Sequence, residues 1–351
     1  MSVYKNIIQK TDFQVPGDWL QIKTIDLHTG GEPLRVILGG YPELAGNNVL
    51  EYRRYARENF DNLRKALMFE PRGHADMYGC LLVPPNDDTA DFGILFLHNE
   101  GYSTMCGHAV IAISKLAVEL AWIEVVEGEN ILSIDAPCGR IESKVTLNNG
   151  LIKDISFQCV PSFVVALDRQ VHVEGYGTVN YDIAYGGAFY AYVDAGQLGL
   201  ELTPKNYNQI IETGMAIKQA VMAQDRDILH PFEGDLSFLY GTIFIDNSKK
   251  NILRSKNVCV FADGEVDRSP TGSGVAGRMA IHHARNEVET GQLISVESIT
   301  GSIFTGKVVS EIDFGPFRAV VPEVGGMAHI TGMHTFLIDP HDPFKEGFFL
   351  R

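Results

Sequence analysis

Short apolar and alternating runs, each closed by a glycine-containing turn, make up most of the chain, and they recur in one order twice. Asp26-Leu27-His28-Thr29-Gly30-Gly31 leads into an apolar run at 34–38. Asp182-Ile183-Ala184-Tyr185-Gly186-Gly187 leads into another at 189–193, an offset of 156 between residues 26 and 182. Both runs read as strands. Each is followed by a helical pattern with a start signal: Asn48 ahead of 49–68, and Thr203-Pro204 ahead of 207–222. Alternating, β-branched and aromatic residues near 77–83 and 236–245 then predict a half-buried strand in each half. Two small-residue helices come next, opened by Cys106-Gly107-His108-Ala109-Val110 and by Thr271-Gly272-Ser273-Gly274-Val275, offset by 165. Finally Ile134-Asp135-Ala136-Pro137-Cys138-Gly139-Arg140-Ile141 answers Val296-Glu297-Ser298-Ile299-Thr300-Gly301-Ser302-Ile303, offset by 162. Three offsets this close describe a duplicated chain, two similar α/β units with a functional site at their junction. The stretch 332–351 lies beyond the second copy and is expected to return to the first unit.

Composition narrows the function classes. At 351 residues two domains are a better expectation than one, and 45% hydrophobic with 21% charged residues describes an ordinary globular protein. A formal net charge of −15 disfavours nucleic acid and anionic membrane surfaces as partners, since both repel it at long range. Cys80, Cys106, Cys138, Cys159 and Cys259 are odd in number and form no C-x-x-C pair, so they suggest neither a disulfide framework nor a zinc site. The first nineteen residues hold no apolar signal core, and no apolar run is long enough to span a bilayer. A cytoplasmic location is expected.

The two helix starts carry the chemistry. A helix N-terminus offers unpaired backbone N–H groups and a partial positive charge, a ready site for a carboxylate, and two such termini could clamp one carboxylate between them. A cysteine there should have its pKa pulled below the usual value of about 8.5, giving a thiolate base near neutrality. Cys106 is that residue, while the other four cysteines read as small buried hydrophobes. Asp267, just ahead of Thr271, could hold a substrate ammonium, which together with the carboxylate clamp defines an amino acid; its plainer role is to cap the loop or pair with Arg268. His108 either orients substrate or is a satisfied core histidine.

Two rival readings have a basis in the residues. Gly272-Ser273-Gly274-Val275-Ala276-Gly277 fits G-x-G-x-x-G, with Glu297 twenty residues on, as in an NAD-dependent oxidoreductase. That fingerprint needs a strand running straight into its first glycine, whereas a proline-containing loop, 262–271, intervenes. A two-lobed cleft with N–H clamps would also suit a non-catalytic amino-acid-binding protein, although binding alone needs no thiol. Metal binding has little support: there is no H-E-x-x-H, and His282 and His283 are neighbours that point apart on a helix.

Met105-Cys106-Gly107-His108 together with Asp267-Arg268-Ser269-Pro270-Thr271-Gly272-Ser273-Gly274 resembles the proline racemase family. Asp26 to Gly31 with Glu32-Pro33, Arg72-Gly73-His74, Val160-Pro161-Ser162-Phe163 and Ala328-His329-Ile330-Thr331-Gly332 extend the likeness over most of the chain from about residue 21. The resemblance implies an α/β (α+β), diaminopimelate-epimerase-like fold: two pseudo-symmetric domains, each with a sheet around a central helix, and an active site in the cleft between them. The expected halves are 21–157, joined by 333–351, and 158–332. Racemases and epimerases of the family place a cysteine on each helix start, one on either face of the α-carbon; here the second is Thr271. The Cys-and-Thr combination implies instead a cofactor-independent dehydratase that removes water from trans-3-hydroxy-L-proline to give 1-pyrroline-2-carboxylate. Cys106 would be the α-proton acceptor with Thr271 opposite. Gly107, His108, Gly272 and Ser273 would hold the carboxylate and Asp267 the ring nitrogen. No metal or cofactor is implied, the partner is a small imino acid, and a homodimer stays open. Racemase or 4-hydroxyproline 2-epimerase activity is the nearest alternative, set aside on Thr271 alone. His74 and Asp76 are polar candidates for protonating the leaving group, with an ordinary loop role the preferred reading.

Overall fold

The computed structural model describes residues 3–10, 12–246 and 253–350. A short helix, Val3–Gln9 (α1), precedes the first hairpin, Leu20–Thr29 (β1) and Glu32–Gly39 (β2). Gly30 and Gly31 sit at its turn with φ of 62° and 97°, left-handed values that a two-residue hairpin turn demands and glycine adopts without strain. Helices Val49–Asn59 (α2) and Asp61–Met68 (α3) follow, then strands Gly79–Val83 (β3), Phe92–Leu97 (β4) and Tyr102–Ser103 (β5), and helix Gly107–Glu119 (α4). Strands Gly128–Ala136 (β6), Gly139–Asn148 (β7) and Leu151–Gln158 (β8) end the first half as an antiparallel meander.

The second half repeats this order behind strand Ser162–Val173 (β9). Its hairpin is Gly177–Tyr185 (β10) and Phe189–Asp194 (β11), so the echoed glycine motif is a hairpin turn in both copies. Helix Tyr207–Gln224 (α5), strands Leu239–Asp246 (β12), Arg254–Phe261 (β13) and Glu265–Val266 (β14), and helix Gly272–Ala284 (α6) come next. Strands Ile294–Glu297 (β15), Ile303–Phe314 (β16), Phe317–Gly326 (β17) and Ala328–Ile338 (β18) complete the chain's regular structure.

Strand pairing makes the duplication physical. β2 runs parallel to β3 as β11 does to β12, and β4 parallel to β6 as β13 does to β15. Two strands trade places: β9 pairs with β10, and β18 crosses back to pair with β1 along its length, from Leu20 opposite Ile338 to Thr29 opposite Ala328. β8 lies against β17 and seals the halves into one hydrogen-bonded sheet system. Each half therefore curls around one helix. All of α4 except Lys115 and Glu119 is buried, and all of α6 except His283 and Ala284. A helix apolar on every side, as Val110-Ile111-Ala112-Ile113 makes α4, is stable only in such an enclosure. The expected architecture of two similar halves, each a sheet around a central helix, is the one observed.

Local details differ from the sequence pattern. The single helix expected over 49–68 breaks at Phe60, whose φ of −134° is not helical; Asp61 then starts α3, held by Arg64 at 2.6 Å. Asn48 does cap α2, accepting from the Glu51 N–H at 2.9 Å. The strand expected from Met77 begins at Gly79, and the one expected from Leu236 begins at Leu239, after a turn of 3-10 helix at Gly234–Leu236. His282 and His283 pair with different acids, Glu287 at 2.7 Å and Glu311 at 3.2 Å. No described helix is long and apolar enough to cross a membrane.

Candidate active site

The helices α4 and α6 meet head to head. A Cβ on Gly107 would lie 2.5 Å from the Gly272 Cα, and one on Gly272 would lie 2.6 Å from the Gly107 Cα. Only two glycines permit that approach, and it brings two sets of orphan N–H groups and two positive helix ends to one point. Cys106 is the residue ahead of α4, with extended backbone (φ −148°, ψ 104°). Thr271 is its counterpart ahead of α6 at φ 67°, ψ 96°. A β-branched residue held at positive φ costs on the order of 1–3 kcal/mol, a strain that persists where surrounding structure enforces it. The Thr271 Oγ1 is buried.

Between the helix starts lies a narrow cavity, and all seven sequence-predicted residues line it: Cys106, Gly107, His108, Asp267, Thr271, Gly272 and Ser273. Sequence reasoning missed the rest of the wall, Tyr78, Met105, Tyr190, Tyr240 and Phe261. These come from both halves and add an apolar wall whose polar atoms are the phenol hydroxyls. The Tyr190 hydroxyl is 2.7 Å from Ser273 Oγ, and the Tyr78 and Tyr240 hydroxyls are 3.4 Å apart.

Burial sets the protonation states. Asp267 is pushed up to about 6 by loss of hydration, against the pull of Ser269, whose N–H donates to Oδ1 at 2.7 Å. The buried Glu32 beside it is raised well above the carboxylate range, first by burial and then by the charge of Asp267; its Oε2 accepts the Arg268 N–H at 2.7 Å. Arg268 forms its ion pair with Asp76 at 2.5 Å, and Asp76 also accepts from the Tyr207 hydroxyl at 2.6 Å. Asp76 thus serves the loops outside the cavity, and the Nδ1 of His74 accepts the Asp76 N–H at 3.2 Å. His108 is lowered to about 3 by burial and is a neutral imidazole, its Nδ1 3.1 Å from Cys106 Sγ.

Cys106 corrects the expectation of a lowered thiol. Burial raises it well above the ordinary value, with the nearby Asp267 charge adding to the rise; the Ala109 N–H at the helix start pulls down but does not win. The helix terminus is present, yet the sulfur has lost its water. The empty enzyme therefore holds a thiol at neutral pH, and its alkylation by iodoacetamide, measured against Cys106→Ser, should be slow at about pH 7 and still rising above about pH 9. A plateau reached below about pH 8 would contradict this.

The glycines of the dinucleotide-like run are packed by protein. A Cβ at Gly274 would meet Ile243 Cδ1 at 2.4 Å, and one at Gly277 the Tyr192 hydroxyl at 2.3 Å. The second and third glycines, which a bound dinucleotide needs clear, are therefore filled by protein, and this weighs against the NAD reading.

A duplicated fold whose two central helix starts meet at one cavity defines a class, and the proline racemase family model matches residues 24–349. The chain belongs to the proline racemase family. Among its relatives, the trans-3-hydroxy-L-proline dehydratase of Colwellia psychrerythraea is 51% identical over 95% of this chain and 94% of its own. The human trans-3-hydroxy-L-proline dehydratase is 46% identical over 94% and 95%. A crystal structure of a hydroxyproline epimerase from Agrobacterium vitis, with bound trans-4-hydroxy-L-proline, superposes with a TM-score of 0.88 at 30% identity, covering 94% of this chain and 96% of that one.

Proposed function

We propose that this protein is a trans-3-hydroxy-L-proline dehydratase, a hydro-lyase yielding 1-pyrroline-2-carboxylate. One observation carries the reading: of the two residues facing each other at the helix starts, Cys106 has a thiol and Thr271 only a hydroxyl. Racemisation needs a proton carrier on each face of the α-carbon, and a hydroxyl is too weak an acid to exchange protons with carbon. Elimination needs one base. Relatives that carry the dehydratase name, at 44% to 51% identity over nearly the whole chain, support the same substrate.

The residues act in the following roles. N–H groups at Gly107, His108, Gly272 and Ser273 receive the carboxylate, and Asp267 receives the ring ammonium. The bound cation beside Cys106 lowers the thiol's pKa by direct attraction, so that the thiol gives up its proton to solvent as substrate binds and the base is generated. The thiolate takes the α-proton, negative charge moves into the carboxylate, and the converged helix ends stabilise it there. The 3-hydroxyl departs as water, and the enamine tautomerises to the cyclic imine. The halves 21–157 with 333–351, and 158–332, are the two units that supply one helix start each.

The test is incubation, without added cofactor, with trans-3-hydroxy-L-proline, trans-4-hydroxy-L-proline and L-proline, following imine formation and optical rotation. Imine from the 3-hydroxy substrate alone is expected. Loss of rotation with the other two, and no imine, would make the enzyme an epimerase or racemase.

Thr271→Cys supplies the missing carrier, and slow loss of optical rotation with L-proline, absent in the parent, should appear. A variant that leaves L-proline untouched would remove Thr271 from the explanation. The acid side of the pH profile belongs to Asp267. Its carboxyl lies above the ordinary range, and only the carboxylate pairs with ammonium, so kcat/KM should fall as pH drops below about 6. Asp267→Asn should erase that limb and lower kcat/KM by about 2–4 kcal/mol, roughly 30- to 1000-fold. An unchanged profile would place the ammonium elsewhere.

A further inference from the structure

We infer that Cys106 is also the acid of the reaction: the sulfur returns the proton it has just taken from Cα to the departing 3-hydroxyl, and both groups leave from one face of the ring. The inference rests on the function proposed above and supplies what that reading leaves open, the group that protonates the leaving oxygen.

Substrate stereochemistry gives the first reason. In trans-3-hydroxy-L-proline the carboxylate and the 3-hydroxyl lie on opposite faces. The α-hydrogen is the other substituent at the same carbon, so it shares a face with the hydroxyl. A base placed to take that hydrogen therefore looks directly at the leaving group. Neighbouring cis substituents on a five-membered ring are close to eclipsed, so one sulfur atom reaches both within hydrogen-bond distance.

The cavity gives the second. Thr271 faces the opposite side of the substrate from Cys106. Asp267 is committed to the ammonium, and Asp76 is held outside by Arg268 and Tyr207. His108 is neutral, with no cationic proton to give. The phenols of Tyr78, Tyr190 and Tyr240 and the Ser273 hydroxyl remain as donors in the wall, and burial pushes the three phenols well above their ordinary range. Tyr190 is also bonded to Ser273 at 2.7 Å. Once Cys106 has taken the α-proton, its S–H is the donor on the hydroxyl's own face, and His108 Nδ1 at 3.1 Å fixes where the sulfur sits.

The step balances. The thiolate forms an S–H bond with the α-hydrogen as the Cα–H pair moves into the carboxylate. That pair returns to form the ring double bond while the C3–O bond breaks, and the S–H proton passes to the leaving oxygen. Water and the original thiolate result, with no other reactant consumed.

Leaving groups with different needs separate this route from one with a second acid, because fluoride departs without a proton. Imine formation from trans-3-hydroxy-L-proline and trans-3-fluoro-L-proline would be compared in the parent and in Tyr78→Phe, Tyr190→Phe, Ser273→Ala and Thr271→Val. Whatever each variant loses in rate, the hydroxy-to-fluoro ratio should stay within about threefold of the parent. A ratio that falls tenfold or more in one variant names that residue as the acid and overturns the inference. The parent enzyme gives a second measurement with cis-3-hydroxy-L-proline, whose hydroxyl lies on the Thr271 face. Imine should form at least about 100-fold more slowly from it than from the trans isomer. A cis isomer turned over within about tenfold of the trans isomer also overturns the inference. Failure of the parent to release imine from either trans substrate would instead sink the proposed function, so the two failures are distinct.

Discussion

Cys106→Ser should lower dehydration of trans-3-hydroxy-L-proline by at least about 10³-fold while the substrate still binds. Serine is a favoured residue ahead of a helix, so α4 keeps its start and the clamp of N–H groups stays in place. What is lost is chemical. A serine hydroxyl does not ionise near neutrality, so it cannot take the α-proton, and having taken none it has none to return to the leaving oxygen. One substitution removes both proton transfers at once. Imine release measures kcat, and titration calorimetry with the same substrate measures binding. A serine variant that turns over within about tenfold of the parent would remove Cys106 from the reaction altogether.

The parts of this site that sequence exposes are those where the backbone constrains residue type. Gly30, Gly31 and Gly187 are needed at positive φ, and Gly107 and Gly272 by helix-to-helix contact, so the duplication and both helix starts stand out as repeated glycine motifs. Cys106 and Thr271 are legible through the glycines that follow them. The aromatic wall is not. Tyr78, Tyr190, Tyr240 and Phe261 are buried residues of apolar segments, indistinguishable by pattern from Phe189 or Phe244 in the core. They line the chamber because strand register in two separate halves turns them toward it, which no local period records. Glu32 is hidden for a related reason. A glutamate beside a hairpin turn reads as exposed, and it is buried because the loop carrying Asp267 and Arg268 packs onto it from the other half. The thiol follows the same rule. A helix start can be read from residue order, whereas the desolvation that outweighs it depends on how completely the two halves close.

Gly107→Ala should lower kcat/KM by about 10²-fold or more and destabilise the fold by about 1–3 kcal/mol. The added methyl would sit 2.5 Å from the Gly272 Cα, 3.0 Å from the Gly272 carbonyl carbon and 2.9 Å from Phe157 Cζ. A phenyl ring can swing aside, but the backbone of Gly272 can retreat only by moving α6, which the strands of its half enclose. Separating the helix starts by on the order of 1 Å pulls one set of N–H groups off the carboxylate and shifts the α-carbon from the sulfur. Gly272→Ala should give the same loss, since its methyl meets the same contact from the other side at 2.6 Å. Gly234→Ala, where a methyl meets nothing within 4 Å, is the control and should leave kcat/KM unchanged. Steady-state imine release and thermal unfolding of the three variants decide the matter. Full activity in either helix-start variant would mean that one terminus alone holds the carboxylate, and that the head-to-head contact serves packing rather than the reaction.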